Sequence, residues 1–411
     1  MAPKNDHDPF NPPQQQNFTQ DNPFGGTQNV GPTGNGRTPA HSQGPNERKR
    51  TTTNKKTTYQ NHNNEDKKLS NKRRSKALDA FVWSVLEKEM NGLKKEYKDE
   101  ISCIVPEKES CQAFFSLEAK NKNRNPNVPC IDDTRVVIKN AIPSESYIHA
   151  NFISSLNSPK RFIATQAPLD NTICDFWKIV LQEKVEFIIM LCNFKEKNVV
   201  KCAEYFPTEV NGCKNMGDLK ISLTKKYIVQ ADNNIICYKI NIFEKKQDHS
   251  VKILHWINWP EVGYPSISTT ALTLYAGTYF SPSPILVHCS SGIRRTGIWI
   301  MIALFMDFVN EGKIEKDFVL QLAKNLRRER AGAIVNDIDY VFIHRLMFQA
   351  LLDKHIINSS QRLLEFFDDY DAATKKAEKA EKLRGNEMTI GPADIIKQNN
   401  QLPGAAVSTP F

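Results

Sequence analysis

Apolar residues fall at Leu78, Phe81, Val82, Val85, Leu86, Leu93 and Tyr97, the three-and-four spacing of a helix with one buried face. The middle of the chain reads differently. Val185–Leu191, Lys220–Val229, Ile235–Phe243 and Val251–Ile257 are rich in β-branched residues and several alternate, which predicts strands of a mixed rather than wholly parallel sheet. Ile285–Val287 forms a further short strand. After a loop, Ile298–Met306 is apolar on every face, as a buried central helix would be. Helical patterns then dominate. Residues 77–355 read as one domain of roughly 280 residues, large for one core yet normal for a big α/β fold. Residues 356–411 read as a helical extension and a loose tail.

The first 76 residues lack this patterning. Beyond Met1 their large apolar residues are Phe10, Phe18, Phe24, Val30, Tyr59 and Leu69, too few to offset chain entropy by burial. A disordered tail is expected there. It carries thirteen Lys/Arg against six Asp/Glu, a net +7 out of +9 for the whole 411-residue chain. The spaced clusters Arg48–Arg50, Lys55–Lys56, Lys67–Lys68 and Lys72–Lys76 suit an anionic partner or the import machinery, or are a solvated basic face. No aromatic residues interleave with them, so nucleic acid is not the expected partner.

No stretch approaches the ~18–20 apolar residues of a membrane span, and the polar start does not resemble a secretory signal. Nine cysteines, an odd number without CxxC pairs, are expected as reduced thiols in an intracellular compartment. The cytoplasm is the expected location, with the nucleus open through the basic tail. No zinc-ligand spacing is visible, and no metal or other cofactor is implied.

The sharpest chemical signal is Val287-His288-Cys289-Ser290-Ser291-Gly292-Ile293-Arg294-Arg295-Thr296-Gly297. A cysteine, a five-residue loop, then an arginine and a hydroxyl residue suit a phosphate dianion. Backbone N–H groups of such a loop converge as an anion-binding nest. The following helix adds its positive end. Arg295 can grip two phosphate oxygens, and the same field favours the Cys289 thiolate as nucleophile.

Several further segments carry a resemblance. Lys122-Asn123-Arg124 precedes Asp132-Asp133-Thr134-Arg135-Val136. Tyr147–Ile153 (YIHANFI), Phe162–Leu169 (FIATQAPL), Asn171-Thr172 and Phe176-Trp177 follow in order. Glu196-Lys197, Lys201–Tyr205 and His255–Glu261 (HWINWPE) come next. With the Cys289 loop they resemble the phosphotyrosine-specific branch of the cysteine-dependent protein tyrosine phosphatases. The resemblance implies an α/β fold with a highly twisted mixed β-sheet flanked by helices, and a phosphotyrosyl protein as substrate. It implies that Cys289 is phosphorylated in turn while Glu261, on a mobile loop, acts as acid and then base. The amides of Ser290, Ser291, Gly292, Ile293, Arg294 and Arg295 would cradle the phosphoryl oxygens. Thr296 would donate to the leaving sulfur, Glu196 would orient Arg295, and Lys201 and Trp259 would support the acid loop. For His288, fixing the loop backbone and tuning the thiol both stay open.

The chain departs from that family at functional positions. Glu261 stands where active members carry Asp; its longer arm moves the carboxyl by roughly 1 Å, enough to cost ~100-fold. Asn125 replaces a tyrosine that stacks on the substrate ring, and Asn127 replaces an aspartate that binds the peptide backbone. Asp339 stands at the position of a glutamine that orients the hydrolytic water, where its charge would repel phosphate. Arg294 replaces a small residue and would add a second cation to the loop. A slow phosphatase is expected. A phosphotyrosine-binding scaffold with impaired catalysis is the alternative, and a phosphoinositide substrate stays open.

Overall fold

A computed structural model describes residues 76–139, 141–244, 247–260 and 263–384. The basic segment read as disordered, the tail beyond 384, and the candidate acid Glu261 lie outside the described residues. Those described belong to one compact unit.

In chain order the elements are α1 (76–96), α2 (Gln112–Phe115), β1 (Arg135–Val137), β2 (Tyr147–Ser155), β3 (Ser158–Gln166), α3 (Ile173–Gln182) and β4 (Phe187–Met190). A small hairpin, β5 (Lys195–Glu196) and β6 (Val199–Val200), is followed by β7 (Cys213–Met216), β8 (Leu219–Ile228), β9 (Ile235–Glu244) and β10 (Gln247–Trp256). Then come α4 (Thr270–Thr278), β11 (Ile285–Cys289), α5 (Arg295–Glu311), α6 (Phe318–Glu329), α7 (Asp337–Asp353) and α8 (Gln361–Arg384).

Nine strands form one sheet in the order β1-β2-β3-β11-β4-β10-β9-β8-β7. The neighbours β3, β11, β4 and β10 run parallel, while hairpin-linked strands on both sides run antiparallel. The mixed sheet predicted from alternation is therefore present. Its parallel centre explains the unbroken apolar runs: all five residues of β11 are buried, as strands covered on both faces must be. α5 packs on β11 and β3, with Trp299 edge-on to Phe162 at 5.9 Å. The predicted stripe is buried at Leu78, Phe81, Val85, Leu86 and Leu93 of α1 and at Tyr97 just after it. Phe81 alone meets the rings of Phe305, Phe318 and Phe348, and each such buried side chain contributes roughly 1.5–3 kcal/mol.

The helix past residue 355 is docked on the domain. α8 buries Leu363, Phe366, Tyr370 and Thr374, one stripe at helical spacing. Phe366 lies edge-on to Phe348 and Tyr370 stacks on Phe342. The Arg345 guanidinium sits 3.5 Å over the Phe367 ring. Farther along α8, Glu378 fills the space beside Gly263 (φ +82), where any Cβ would collide with its carboxylate. No helix among the described residues is long and apolar enough to cross a membrane.

Candidate active site

The strand β11 delivers Cys289 to the point where the chain turns from sheet to helix. Its side chain is almost wholly buried, and the Gly292 N–H donates to its sulfur at 3.2 Å. Gly292 has φ +70, and a Cβ there would collide with the Thr165 backbone, so only glycine fits. Behind the loop lies Arg330, which is fully buried. It donates through Nε to the Gly292 carbonyl at 3.1 Å and through Nη2 to the Ser291 carbonyl at 3.3 Å. In a trans peptide the carbonyl and the next N–H point opposite ways. Holding these two carbonyls outward therefore turns the amides of Gly292 and Ile293 inward, the arrangement an anion nest requires.

Two side chains fix Arg330 in turn. Asn151 Oδ1 accepts from Nη1 at 2.7 Å, and His149 Nδ1 lies 3.0 Å from Nη2. Burial and the Arg330 charge push the His149 pKa down to about 3, so the ring is neutral. Its Nε2, 2.8 Å from the Val128 carbonyl, then carries the proton and Nδ1 accepts. Ile334 sits beside the loop with φ +62, a costly backbone state for a β-branched residue. Its N–H donates to the Ile293 carbonyl, while its own carbonyl accepts from Tyr97 and Arg327.

His288 is hydrogen-bonded to the loop backbone. Nδ1 lies 3.3 Å from the Cys289 carbonyl and Nε2 is 2.9 Å from the Tyr205 hydroxyl. Burial lowers its pKa to about 3, so Nδ1–H donates and Tyr205 donates back to Nε2. Thr296 Oγ1 is buried and has no hydrogen-bond partner among the described residues, leaving its proton available in the first turn of α5. Ser290 Oγ donates to the Lys201 carbonyl at 3.0 Å, which ties the loop to the segment after β6 through Lys201's backbone.

Arg295 is clamped by Glu196, at 2.7 Å and 2.9 Å through its two terminal nitrogens. The same nitrogens donate to the carbonyls of Leu191 (2.9 Å) and Pro260 (3.0 Å). The fork assigned to phosphate from the sequence is thus engaged by Glu196, and a dianion would have to share these hydrogens. Trp259 is buried, with its ring 4.7 Å from that of Trp256.

At the rim the structure joins two departures that the sequence presents separately. Arg294 Nε donates to Asp339 Oδ1 at 3.0 Å. Asp339 is fully buried. Its Oδ1 also accepts from the Tyr264 hydroxyl at 2.7 Å and its Oδ2 from the Val335 N–H at 3.2 Å. Asp339 therefore does not stand open to water or phosphate, and Arg294 does not present an uncompensated cation. Burial lowers the Arg294 pKa, but Asp339 and Tyr264 outweigh it and leave the guanidinium above its ordinary value. Across the rim, Asn125 Oδ1 accepts from the Asn127 N–H at 2.9 Å, so both asparagines build a local turn. Arg124 anchors this turn through the Pro168 carbonyl at 2.8 Å and Gln166 Oε1 at 2.9 Å.

Sequence reasoning missed Arg330, Asn151, Tyr205 and Tyr264. Asn151 and Tyr205 lie in segments that stood out as motifs and Tyr264 sits just after one, but nothing in a linear pattern tells a buried arginine from an exposed one at the end of an amphipathic helix.

The chain resembles known proteins over this domain. A family model described as protein-tyrosine phosphatase matches residues 119–349. The human receptor-type tyrosine-protein phosphatase alpha is 28% identical over 286 residues, 65% of this chain and 34% of that protein. The mouse tyrosine-protein phosphatase non-receptor type 18 is 32% identical over 248 residues, 58% of this chain and 54% of that protein. The solved structure of PTPN18 in complex with HER2 phosphopeptides superposes with a TM-score of 0.59 at 27% identity, covering 64% of this chain and 93% of that one. The chain spans only about a third of the receptor-type alpha relative it matches.

Proposed function

The chain belongs to the protein-tyrosine phosphatase family, and from that premise we propose that it hydrolyses phosphotyrosine in proteins through a phosphocysteine. In the first step the Cys289 sulfur attacks phosphorus. The S–P bond forms as the bond to the tyrosyl oxygen breaks, and the Glu261 carboxylic acid gives that oxygen its proton. In the second step water attacks phosphorus, the Glu261 carboxylate takes the water proton, and the S–P bond breaks to free phosphate and thiolate. The amides from Ser290 to Arg295 and the Arg295 guanidinium carry the charge that develops on the phosphoryl oxygens. Thr296 Oγ1 is the donor for the departing sulfur, and Glu196 and Arg330 are positioning residues. A phosphotyrosyl peptide is the substrate class, as the PTPN18 complex with HER2 phosphopeptides supports.

One observation carries this reading: the sulfur of Cys289 already accepts an N–H from its own loop, 3.2 Å away, beside an arginine whose position four hydrogen bonds fix. A second reading, phosphotyrosine binding with little turnover, is favoured by Asn125 and by the occupied oxygens of Asp339.

The test is phosphate release from a phosphotyrosyl peptide by the full chain across pH 5–8, with Cys289→Ser beside it. Turnover should fall about a thousandfold or more in the serine protein while the peptide still binds. Activity should be lost below the thiolate pKa and again above that of the acid. Binding of the peptide by the unaltered chain without phosphate release would replace this reading with the second.

A further inference from the structure

Consecutive arginines of the anion loop hold the two flanks of one short segment. Arg295 Nη2 donates to the Pro260 carbonyl at 3.0 Å. Arg294 reaches the other flank through Asp339, whose Oδ1 accepts both Arg294 Nε at 3.0 Å and the Tyr264 hydroxyl at 2.7 Å. Between Pro260 and Tyr264 the sequence carries the candidate acid. Resting on the phosphatase reading above, we infer that Tyr264 and Asp339 are positioning residues, which fix the C-terminal flank of the acid segment to the anion loop through Arg294.

The parts of this joint are rigid. Asp339 lies in the first turn of α7, where its N–H donates to Asn336 Oδ1 at 2.7 Å and caps the helix. Its second oxygen accepts the Val335 N–H. The carboxylate therefore cannot turn away without losing the Val335 N–H, Tyr264 and Arg294 together. The Tyr264 ring lies 4.6 Å from Phe342 and 6.4 Å from Tyr370 of α8, with the Arg294 guanidinium 5.2 Å from its centre. Burial first, and Asp339 second, raise the Tyr264 pKa well above that of a free phenol, so the hydroxyl remains a donor through any physiological pH. A buried phenol donating to a charged acceptor is the strong kind of hydrogen bond. Because Arg294 and Asp339 neutralise each other, the joint adds no net charge beside the phosphate.

Tyr264→Phe removes the hydroxyl and keeps the ring in place. If the joint positions the acid, the loss should follow the leaving group's need for a proton. On a phosphotyrosyl peptide, whose phenol has a pKa of about 10, kcat should fall about tenfold. On p-nitrophenyl phosphate, whose leaving group needs little protonation, it should fall less than about twofold by the same reasoning. The affinity of the Cys289→Ser chain for the peptide should not move. An equal fall on both substrates, or no fall on either, overturns the inference and leaves a packing role.

If the unaltered chain turns over neither substrate, the phosphatase reading fails by itself and the joint is read another way. Orthovanadate is added and tryptophan fluorescence followed, taking the difference from a Trp259→Phe chain to isolate the ring beside Pro260. Tyr264→Phe should change that signal at unchanged vanadate affinity. An unchanged signal overturns the joint independently.

Discussion

The cradle around Cys289 and the rim around Asp339 are built from the same residue types, yet their partners differ in kind. In the cradle, Arg295 and Arg330 spend half their contacts on main-chain carbonyls: Leu191, Pro260, Ser291 and Gly292. At the rim, Arg294 is held by a side chain, Asp339, which in turn is held by Tyr264. A carbonyl cannot be mutated, so an arginine that serves carbonyls has no compensating substitution. A side-chain pair can change as a unit. At the rim, Arg294 and Asp339 are complementary charges that can be exchanged together.

The largest expected effect tests that asymmetry directly. Arg330→Met would leave two carbonyls, Asn151 Oδ1 and His149 Nδ1 without their donor, each at a cost of about 1–3 kcal/mol when buried. Denaturant unfolding should show a loss of at least about 3 kcal/mol, and turnover should collapse with it. Replacing the rim pair together, Arg294→Met with Asp339→Asn, removes both charges at once and should cost about 1 kcal/mol or less. Equal costs for the two variants would sink the contrast.

Acid should loosen the cradle next. His149 and His288 have pKa values near 3, and His255 and His344 near 4, all lowered chiefly by burial. Their folded values lie below the ordinary ~6.5, so the unfolded chain binds protons first. Stability is then fully present above pH ~6.5 and is lost as the pH falls toward the folded values, at up to ~1.4 kcal/mol per pH unit for each ring. Two of the four rings serve the cradle, through Arg330 and the Cys289 carbonyl. Melting temperatures at pH 7, 6 and 5 should fall steeply, and His288→Gln should flatten the slope. A flat profile in the unaltered chain would mean that these rings are not held neutral.

What the sequence made legible divides along the same line. The α1 stripe, the strands and the apolar α5 could be read because burial imposes a period on the residues themselves. Cys289, Arg295 and Glu196 could be read because their roles follow from spacing and family motifs. Arg330 could not, since the loop contacts that give it its role go to carbonyls, which leave no trace in any side chain. Arg294 and Asp339 are visible one at a time, the first as a second cation in the anion loop and the second as a carboxylate that would repel phosphate. Their pairing depends on where α7 starts relative to the loop, 45 positions apart in sequence, a distance that no local pattern spans. α8 was readable as a helix, but its docking on Phe342 and Phe348 depends on three-dimensional neighbours.

The smallest expected effect concerns the rim's other side. By the sequence resemblance Asn125 stands where family members carry a tyrosine that stacks on the substrate, and its side chain accepts the Asn127 N–H at 2.9 Å. Asn125→Tyr should restore an aromatic face worth ~1 kcal/mol beyond burial, close to fivefold in affinity for a phosphotyrosyl peptide. It also removes the turn's own hydrogen bond, worth about 0.5–1.5 kcal/mol, so the variant should bind more tightly while unfolding more easily. Calorimetric titration of the peptide into the Cys289→Ser background, with and without Asn125→Tyr, measures the first change, and urea unfolding measures the second. The rim tolerates change when a partner compensates, and here the substrate's own ring is the partner. A phosphoseryl peptide offers no such ring and should gain nothing. If both peptides gain alike, the new side chain acts by adding surface rather than by reading tyrosine, and the specificity of this rim must lie elsewhere.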